Sequence, residues 1–427
     1  MAAQNPVIVV PGITASVLED RYPIDPVDIW NASTKKDFER ITLHPDDLRY
    51  EAQEPARVVA RNPIQLAYGD LVEALRHDLS KKKDKPTPVF AFGYDWRRDC
   101  FLSAAQLGAM VDEVLERTRL LPHYKKEPPE RVDLVAHSMG GLVVAAYLRG
   151  RQTGAIPGIS QGDCKVGRVV TIGTPFHGSV DAVHKLATGM GSLTGPAPRD
   201  REREAARMMP ALYQLLPSFP EAAVGSVDRL PVDLFDRVNW QKSVLATMKE
   251  FIRMVGSERE PTELFEQFLG DAKRLIETVN QLDLDGPNAI PEGRAGWIAI
   301  VGLGAKTLSH VEVERAGPWF KLLEPADVGP KDIRTGDGTV PFRGAQPGFL
   351  APEQLLGVTP DDFSIWEVGD KALLHFAGFH GMLPNVNLVQ RLAIRHLRAD
   401  YRAEFWAHPV PGVTTPQWPA WIERRPL

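Results

Sequence analysis

Val132-Asp133-Leu134-Val135-Ala136-His137-Ser138-Met139-Gly140-Gly141 reads as an apolar strand that runs into a sharp turn and then into a helix. A serine framed by small residues at such a turn is a nucleophile elbow. The turn projects the hydroxyl from the strand end, and small neighbours let the following helix pass close to the strand. The usual pattern is G-x-S-x-G, and here Ala136 replaces the first glycine by the smallest possible step. Arg131 to Val135 reads as a buried strand and Leu142 to Leu148 as an apolar helical start that ends near Gly150.

The chain around this stretch has 427 residues, of which 43% are hydrophobic and 25% charged, enough for a full core and a sizeable insertion. A net charge of -5 gives no electrostatic reason to bind nucleic acid. Cys100 and Cys164 are too few for a disulfide framework and read as reduced core thiols. Met1 to Pro6 leads straight into Val7-Ile8-Val9-Val10, so the expectation is a cytoplasmic protein unless it is exported without a signal peptide. No run reaches the roughly eighteen apolar residues of a membrane span, so any membrane contact is expected to be peripheral. Lys81-Lys82-Lys83 reads as a solvated helix end rather than a lipid headgroup site.

Strands and helices alternate along the first part of the chain. Val7 to Val10 ends in Pro11-Gly12-Ile13-Thr14, and Glu19 to Arg61 reads as a polar, Pro-rich surface excursion anchored by Trp30. Helical spacing over Ala67 to Leu79 precedes a strand at Pro88 to Gly93, then a helix from Ser103 to Arg119, the elbow, and a strand from Arg168 into Thr174-Pro175-Phe176-His177-Gly178-Ser179. That order predicts an α/β domain of the α/β-hydrolase kind, with a mostly parallel central sheet flanked by helices. The alternation stops between Val180 and Pro291, where helical patterns over Ala205–Leu216, Val244–Val255 and Pro261–Leu282 and no convincing strand predict a helical cap or lid. The sheet resumes at Gly296 to Gly304, a last helix covers Val386 to Leu397, and the tail reads as a strap. The expected organisation is therefore a core in two parts, 1–179 and 292–400, with a cap at 180–291 and a strap at 401–427.

A serine hydroxyl needs a general base, and the base needs a carboxylate to hold its tautomer. In this fold the chain order is serine, acid, histidine. Asp337, between Gly336 and Gly338, and His380, in a Gly-flanked loop before the last helix, satisfy it with Ser138. His375 is the rival base, but it follows Leu373-Leu374 and reads as a strand residue. The oxyanion calls for two fixed donors: the Met139 amide after the serine, and the Ile13 amide in the first strand's loop, with Thr14 as the alternative. His137 reads as structural and His177 as a pocket-wall residue. No metal or other cofactor is needed, and no C-x-x-C, H-E-x-x-H or Gly-rich phosphate loop occurs.

Several segments together resemble the lecithin:cholesterol acyltransferase family, which includes lysosomal phospholipase A. They are Val9-Val10-Pro11-Gly12 with Ser16, Leu18 and Glu19; Phe92-Gly93-Tyr94-Asp95-Trp96-Arg97; the elbow; Leu212-Tyr213-Gln214-Leu215-Leu216-Pro217; Val301 to Gly304; Gly336 to Val340; and His380 with Met382, Leu383 and Asn385. The resemblance implies a triad of Ser138, Asp337 and His380 that cleaves lipid or phospholipid acyl esters through an acyl-enzyme. It also implies that Tyr94, Asp95 and Trp96 line or brace the acyl pocket. The Thr171 to Ser179 turn is closer to bacterial lipases, and the family's secretory disulfides are missing, so the expectation is a bacterial, soluble relative. Whether water or a lipid alcohol takes the acyl group stays open at this level. A small-ester or lactone hydrolase and a non-catalytic binding protein on the same fold are the other readings.

Overall fold

The structure is a computed structural model that describes residues 4–21, 25–31, 37–46, 58–80, 82–189, 200–314, 320–323, 335–363, 378–399 and 404–427. Its centre is a six-stranded sheet of β1 (Val7–Val10), β2 (Val89–Ala91), β3 (Val132–His137), β4 (Val166–Ile172), β5 (Trp297–Gly302) and β6 (Leu356–Val358). The spatial order is β6-β5-β4-β3-β1-β2, and every pairing is parallel. The central strands are mostly apolar and buried at nearly every position because both faces are covered. Val7 and Val9 face one cluster with α1 (Gln65–Leu79) and α8 (Asn387–Arg398). Ile8 and Val10 face the other, with α2 (Cys100–Arg119) and α3 (Met139–Thr153). The α/β-hydrolase architecture expected from the sequence is present.

Helix α3 is buried on nearly all sides, since it lies between the sheet, α2 and α7 (Pro261–Asn280). It runs three residues past Gly150, the end expected from sequence, to Thr153, and is capped by Gly154 in the left-handed conformation. The region 180–291 carries α4 (Val180–Thr188), α5 (Asp200–Arg207), α6 (Lys242–Met254) and α7. Its apolar residues, among them Met208, Met209, Leu212, Tyr213, Met248 and Phe251, belong to the same contiguous cluster as the sheet's α3 face. Helix α7 packs directly on α3, and Asn280 donates to the Phe176 carbonyl at 2.8 Å. The buried Arg207 guanidinium donates to the Leu186 and Ala187 carbonyls and so satisfies the end of α4.

Three expectations need correction. The excursion after β1 contains an antiparallel sheet of Ser16–Asp20, Val27–Trp30 and Val58–Pro63, whose cross-strand pairing no periodicity in a polar segment discloses. Trp30, expected as its anchor, does pack against Trp96, with ring centroids 5.0 Å apart. The helix expected over Ala205–Leu216 breaks at Met208-Met209, because Pro210 lacks the amide needed to continue it. Within 180–291, Ala223–Gly225 forms a short strand parallel to His310–Val313. The sixth sheet strand, Leu356–Val358, is too short to have stood out by pattern. His375 lies outside the described residues.

In the tail, Phe405–Ala407 pairs with Ile422–Arg424, and His408 pins the strap. Its Nδ1 faces the Arg425 and Pro426 carbonyls, each at 3.1 Å, and its Nε2 faces the Asp362 carboxylate at 3.1 and 3.2 Å. Both partners can only accept, so both nitrogens donate and the ring is cationic. The bond to Asp362 raises the His408 pKa above its ordinary 6.5. Burial pushes the Asp362 carboxyl up, but hydrogen bonds from His408, Trp406 and Thr359 outweigh it and hold it at about 2, below its ordinary 3.8. The histidine's stabilisation is therefore complete below pH 6.5 and lost as pH rises through its raised value, while the aspartate's is lost as pH falls towards 2. His408→Gln is expected to lower the melting temperature most between about pH 4 and 6.5, with the deficit shrinking towards pH 9. Melting curves of both proteins across that range check it, and a deficit independent of pH would contradict it.

Candidate active site

Ser138 lies between the last residue of β3 and the first of α3, with φ 53° and ψ -130°, a conformation rarely adopted by residues other than glycine. Its amide donates to the Ile172 carbonyl at 2.9 Å, and its carbonyl accepts from Gly141 at 3.0 Å. The small neighbours are there for contact. A Cβ on Gly140 would sit 2.5 Å from the Val10 oxygen and 2.6 Å from the Pro11 oxygen, and one on Gly12 would sit 2.8 Å from the Ser138 Cβ. Ala136 is in register between Val10 and Thr171, so its methyl is accommodated where the motif usually has glycine.

The fold brings Asp337 and His380 to this serine. His380 Nε2 is 2.9 Å from Ser138 Oγ, and His380 Nδ1 is 2.6 Å from Asp337 Oδ2. The carboxylate can only accept, so Nδ1 carries the proton and Nε2 is left to accept from the hydroxyl. Asp337 is 1% exposed, and its other oxygen, Oδ1, accepts from the Thr339 amide at 3.0 Å and the Val340 amide at 2.7 Å. Thr307 Oγ1 accepts from the Gly338 amide at 2.8 Å and so fixes the same turn. Gly173, at the end of β4 with φ 56°, lies beneath the pair: a Cβ there would be 3.1 Å from Asp337 Oδ2 and 3.3 Å from His380 Nδ1. His380 sits in the short helix Gly378–Met382, where a loop was expected from the sequence.

Met139, the first residue of α3, has one of the amides that no intrahelical carbonyl can satisfy. Ile13 follows Gly12 in the β1 loop, which three aromatic side chains hold. Tyr94 Oη donates to the Pro11 carbonyl at 2.8 Å, the Gly12 amide donates to Tyr68 Oη at 3.0 Å, and Trp30 Nε1 donates to the Thr14 carbonyl at 2.8 Å. Thr14 itself is left-handed, with φ 62°.

The Tyr94-Asp95-Trp96 run braces this loop. Tyr94 and Trp96 are almost fully buried, and Trp96 Nε1 donates to the Ser16 carbonyl at 3.0 Å. Asp95 is held in a two-point ion pair by Arg97 Nε at 2.8 Å and Nη2 at 2.6 Å, while Arg97 Nη1 reaches the Ile41 carbonyl at 3.0 Å. His177 is half-buried, donates its amide to Gly344 at 2.8 Å and has Nδ1 3.0 Å from Ser218 Oγ; burial lowers its pKa. The reading of single motifs missed Gly173, Thr307 and Tyr68, since nothing local in the sequence marks a glycine under a side-chain pair or a tyrosine facing a loop amide.

A six-stranded parallel sheet with a serine at such a turn, and an aspartate and a histidine brought beside it from later in the chain, defines an α/β-hydrolase. The family model of lecithin:cholesterol acyltransferase matches residues 69–282, and the chain belongs to that family. The match includes Ser138 and stops short of Asp337 and His380, so their placement beside the serine is seen from the structure. Among solved structures, that of the Tle4–Tli4 complex is similar over 92% of this chain and 100% of that chain, with 14% identity and a TM-score of 0.58, a likeness of fold. The mature lipase BlEst2 of Bacillus licheniformis matches over 92% of each chain at 12% identity with a TM-score of 0.33. Phospholipase PlaB of Legionella pneumophila matches over 93% of this chain and 60% of that chain at 11% identity with a TM-score of 0.40. No curated protein sequence matches the chain.

Gly140→Ala places a methyl against two backbone oxygens that cannot turn aside. It is expected to cost on the order of 2 kcal/mol and to displace Ser138. Thermal unfolding measures this, and a melting temperature equal to that of the parent would contradict the close approach.

Proposed function

We propose that the chain is a serine-dependent carboxylic-ester hydrolase acting on lipid or phospholipid acyl esters. The observation that carries the reading is the continuous chain from Ser138 Oγ to His380 Nε2 at 2.9 Å and from His380 Nδ1 to Asp337 Oδ2 at 2.6 Å, in a member of a lipid acyltransferase family.

Ser138 Oγ attacks the ester carbonyl carbon while His380 Nε2 takes its proton. Asp337 keeps Nδ1 protonated and stabilises the imidazolium, and its two turn amides keep the carboxylate aimed at the ring. The Met139 and Ile13 amides receive the oxyanion. Collapse of the tetrahedral adduct breaks the ester C–O bond, and His380 returns the proton to the leaving alcohol. The acyl-enzyme is then attacked by water, deprotonated by the same nitrogen, which frees the fatty acid and restores Ser138. A bound alcohol in place of water would make the second step an acyl transfer, and product analysis with an added lipid alcohol separates the two. No helix among the described residues is long and apolar enough to cross a membrane, and contact with lipid is proposed as peripheral.

Ser138→Ala is expected to reduce cleavage of a phospholipid panel and of long-chain p-nitrophenyl esters by about 10^4-fold or more, with the fold retained. Short-chain activity alone in the parent protein would favour a small-ester hydrolase, and activity that survives the substitution would remove Ser138 as the nucleophile. Asp337→Asn can present its amide to Nδ1 and so stabilise the wrong tautomer. A loss in kcat on the order of 10^3-fold or more, with little change in KM, is expected from initial-rate kinetics.

A further inference from the structure

The Pro11–Gly12 peptide is gripped at both ends. Its carbonyl accepts from Tyr94 Oη at 2.8 Å, and its N–H donates to Tyr68 Oη at 3.0 Å. A peptide unit is planar, so two bonds on opposite edges fix its rotation. The unit lies directly against Ser138, where there is no room for even one added carbon on Gly12. The next amide along the chain is that of Ile13.

Tyr68 Oη continues to His137. It is 2.8 Å from His137 Nδ1, and His137 Nε2 is 3.0 Å from the carbonyl oxygen of His380. The proton positions follow by elimination. The His380 carbonyl can only accept, so Nε2 carries the hydrogen; in a neutral ring Nδ1 then accepts; Tyr68 must donate its O–H to Nδ1; and its lone pair receives the Gly12 N–H. Burial, and secondarily the charge of His380, lowers the His137 pKa well below its ordinary value, in keeping with a neutral ring. Each hydrogen bond in this chain has one direction and one partner. The anchoring is reinforced from outside, because Asn385, just after the His380 helix, donates to the carbonyl of Ala67, next to Tyr68 on α1, at 3.1 Å.

We propose that Tyr68 and His137 are positioning residues that lock the β1 loop and the His380 backbone to each other across Ser138. The proposal rests on the serine-hydrolase reading above and deepens it. Neither side chain is hydrogen-bonded to Ser138 Oγ or His380 Nε2: Tyr68 is 2% exposed, both ring nitrogens of His137 are committed to Tyr68 and the His380 backbone, and the His137 ring packs beside that of His380 with centroids 4.9 Å apart. Their effect is to hold the Ile13 amide and the His380 ring in place before the substrate arrives, where small displacements weaken transition-state stabilisation more than binding.

Tyr68→Phe removes one oxygen and keeps the ring. With a long-chain p-nitrophenyl ester, kcat is expected to fall about ten- to hundredfold while KM changes less than about threefold, and covalent labelling at Ser138 by a fluorophosphonate should slow in step. His137→Gln should show the same split, and the double variant should lose much less than the product of the two, since both break one chain. His137→Gln carries the test alone should Tyr68→Phe fail to fold. A lower melting temperature with kcat within twofold of the parent would make Tyr68 merely structural and overturn the proposal, as would a rise in KM at constant kcat or fully multiplicative losses. Ser138→Ala in the same assay separates the two readings. If it is inactive and Tyr68→Phe is fully active, the positioning role alone falls; if it remains active, the serine-hydrolase reading falls and the positioning role with it.

Discussion

The close approach of α3 to the end of β1 is the constraint on which the site depends. Ser138 can be presented at φ 53° only because Gly140 passes the Val10 and Pro11 carbonyls with no side chain between them. Such a conformation costs roughly 1–3 kcal/mol. It is offset by the hydrogen bond that the Ser138 amide donates to the Ile172 carbonyl and by a helix that packs into the interior on nearly all sides. The same proximity sets the Pro11–Gly12 peptide against the serine, so the contact that permits the turn also delivers the amide-bearing loop.

Parallel strands bring the rest. All six strands run in one direction, so the loops after β1, β3, β4 and β5 emerge at one edge. Asp337 reaches that edge on a turn braced by Thr307 and its own backbone amides, and His380 arrives on a short helix ahead of α8. Gly173 and Gly302 leave the space these groups occupy: a Cβ on Gly302 would lie 2.4 Å from the Asp337 Cβ. Glycines at strand ends thus make room for Asp337 and His380 much as Gly12 and Gly140 do for Ser138.

Aromatic residues hold the β1 loop. Tyr68, Tyr94 and Trp30 come from a helix, a loop and an antiparallel strand, and each commits its one polar group to the backbone between Pro11 and Thr14. The Tyr94-Asp95-Trp96-Arg97 run is therefore structural in its visible contacts. Arg97 ties it to the Ile41 carbonyl, and Trp96 ties it to the antiparallel sheet.

The elbow, the central strands β1, β3, β4 and β5 and the chain order of Ser138, Asp337 and His380 were legible from residues alone, because a buried parallel strand is rich in apolar residues and a tight strand-to-helix turn needs small neighbours. Helices α1, α2, α7 and α8 were likewise legible to within a few residues, from apolar spacing. The antiparallel sheet after β1 was hidden, since its stability comes from cross-strand pairing and from Trp30 packing on Trp96. The break at Pro210 was written in the chain, but the apolar spacing on either side outweighed it. The approach of His380 to Ser138 across 242 residues, the grip on the Pro11–Gly12 peptide and the direction of every bond from Gly12 through Tyr68 and His137 to His380 were decided only by tertiary structure. Local sequence fixes which groups can donate and accept; only folding fixes which of them meet.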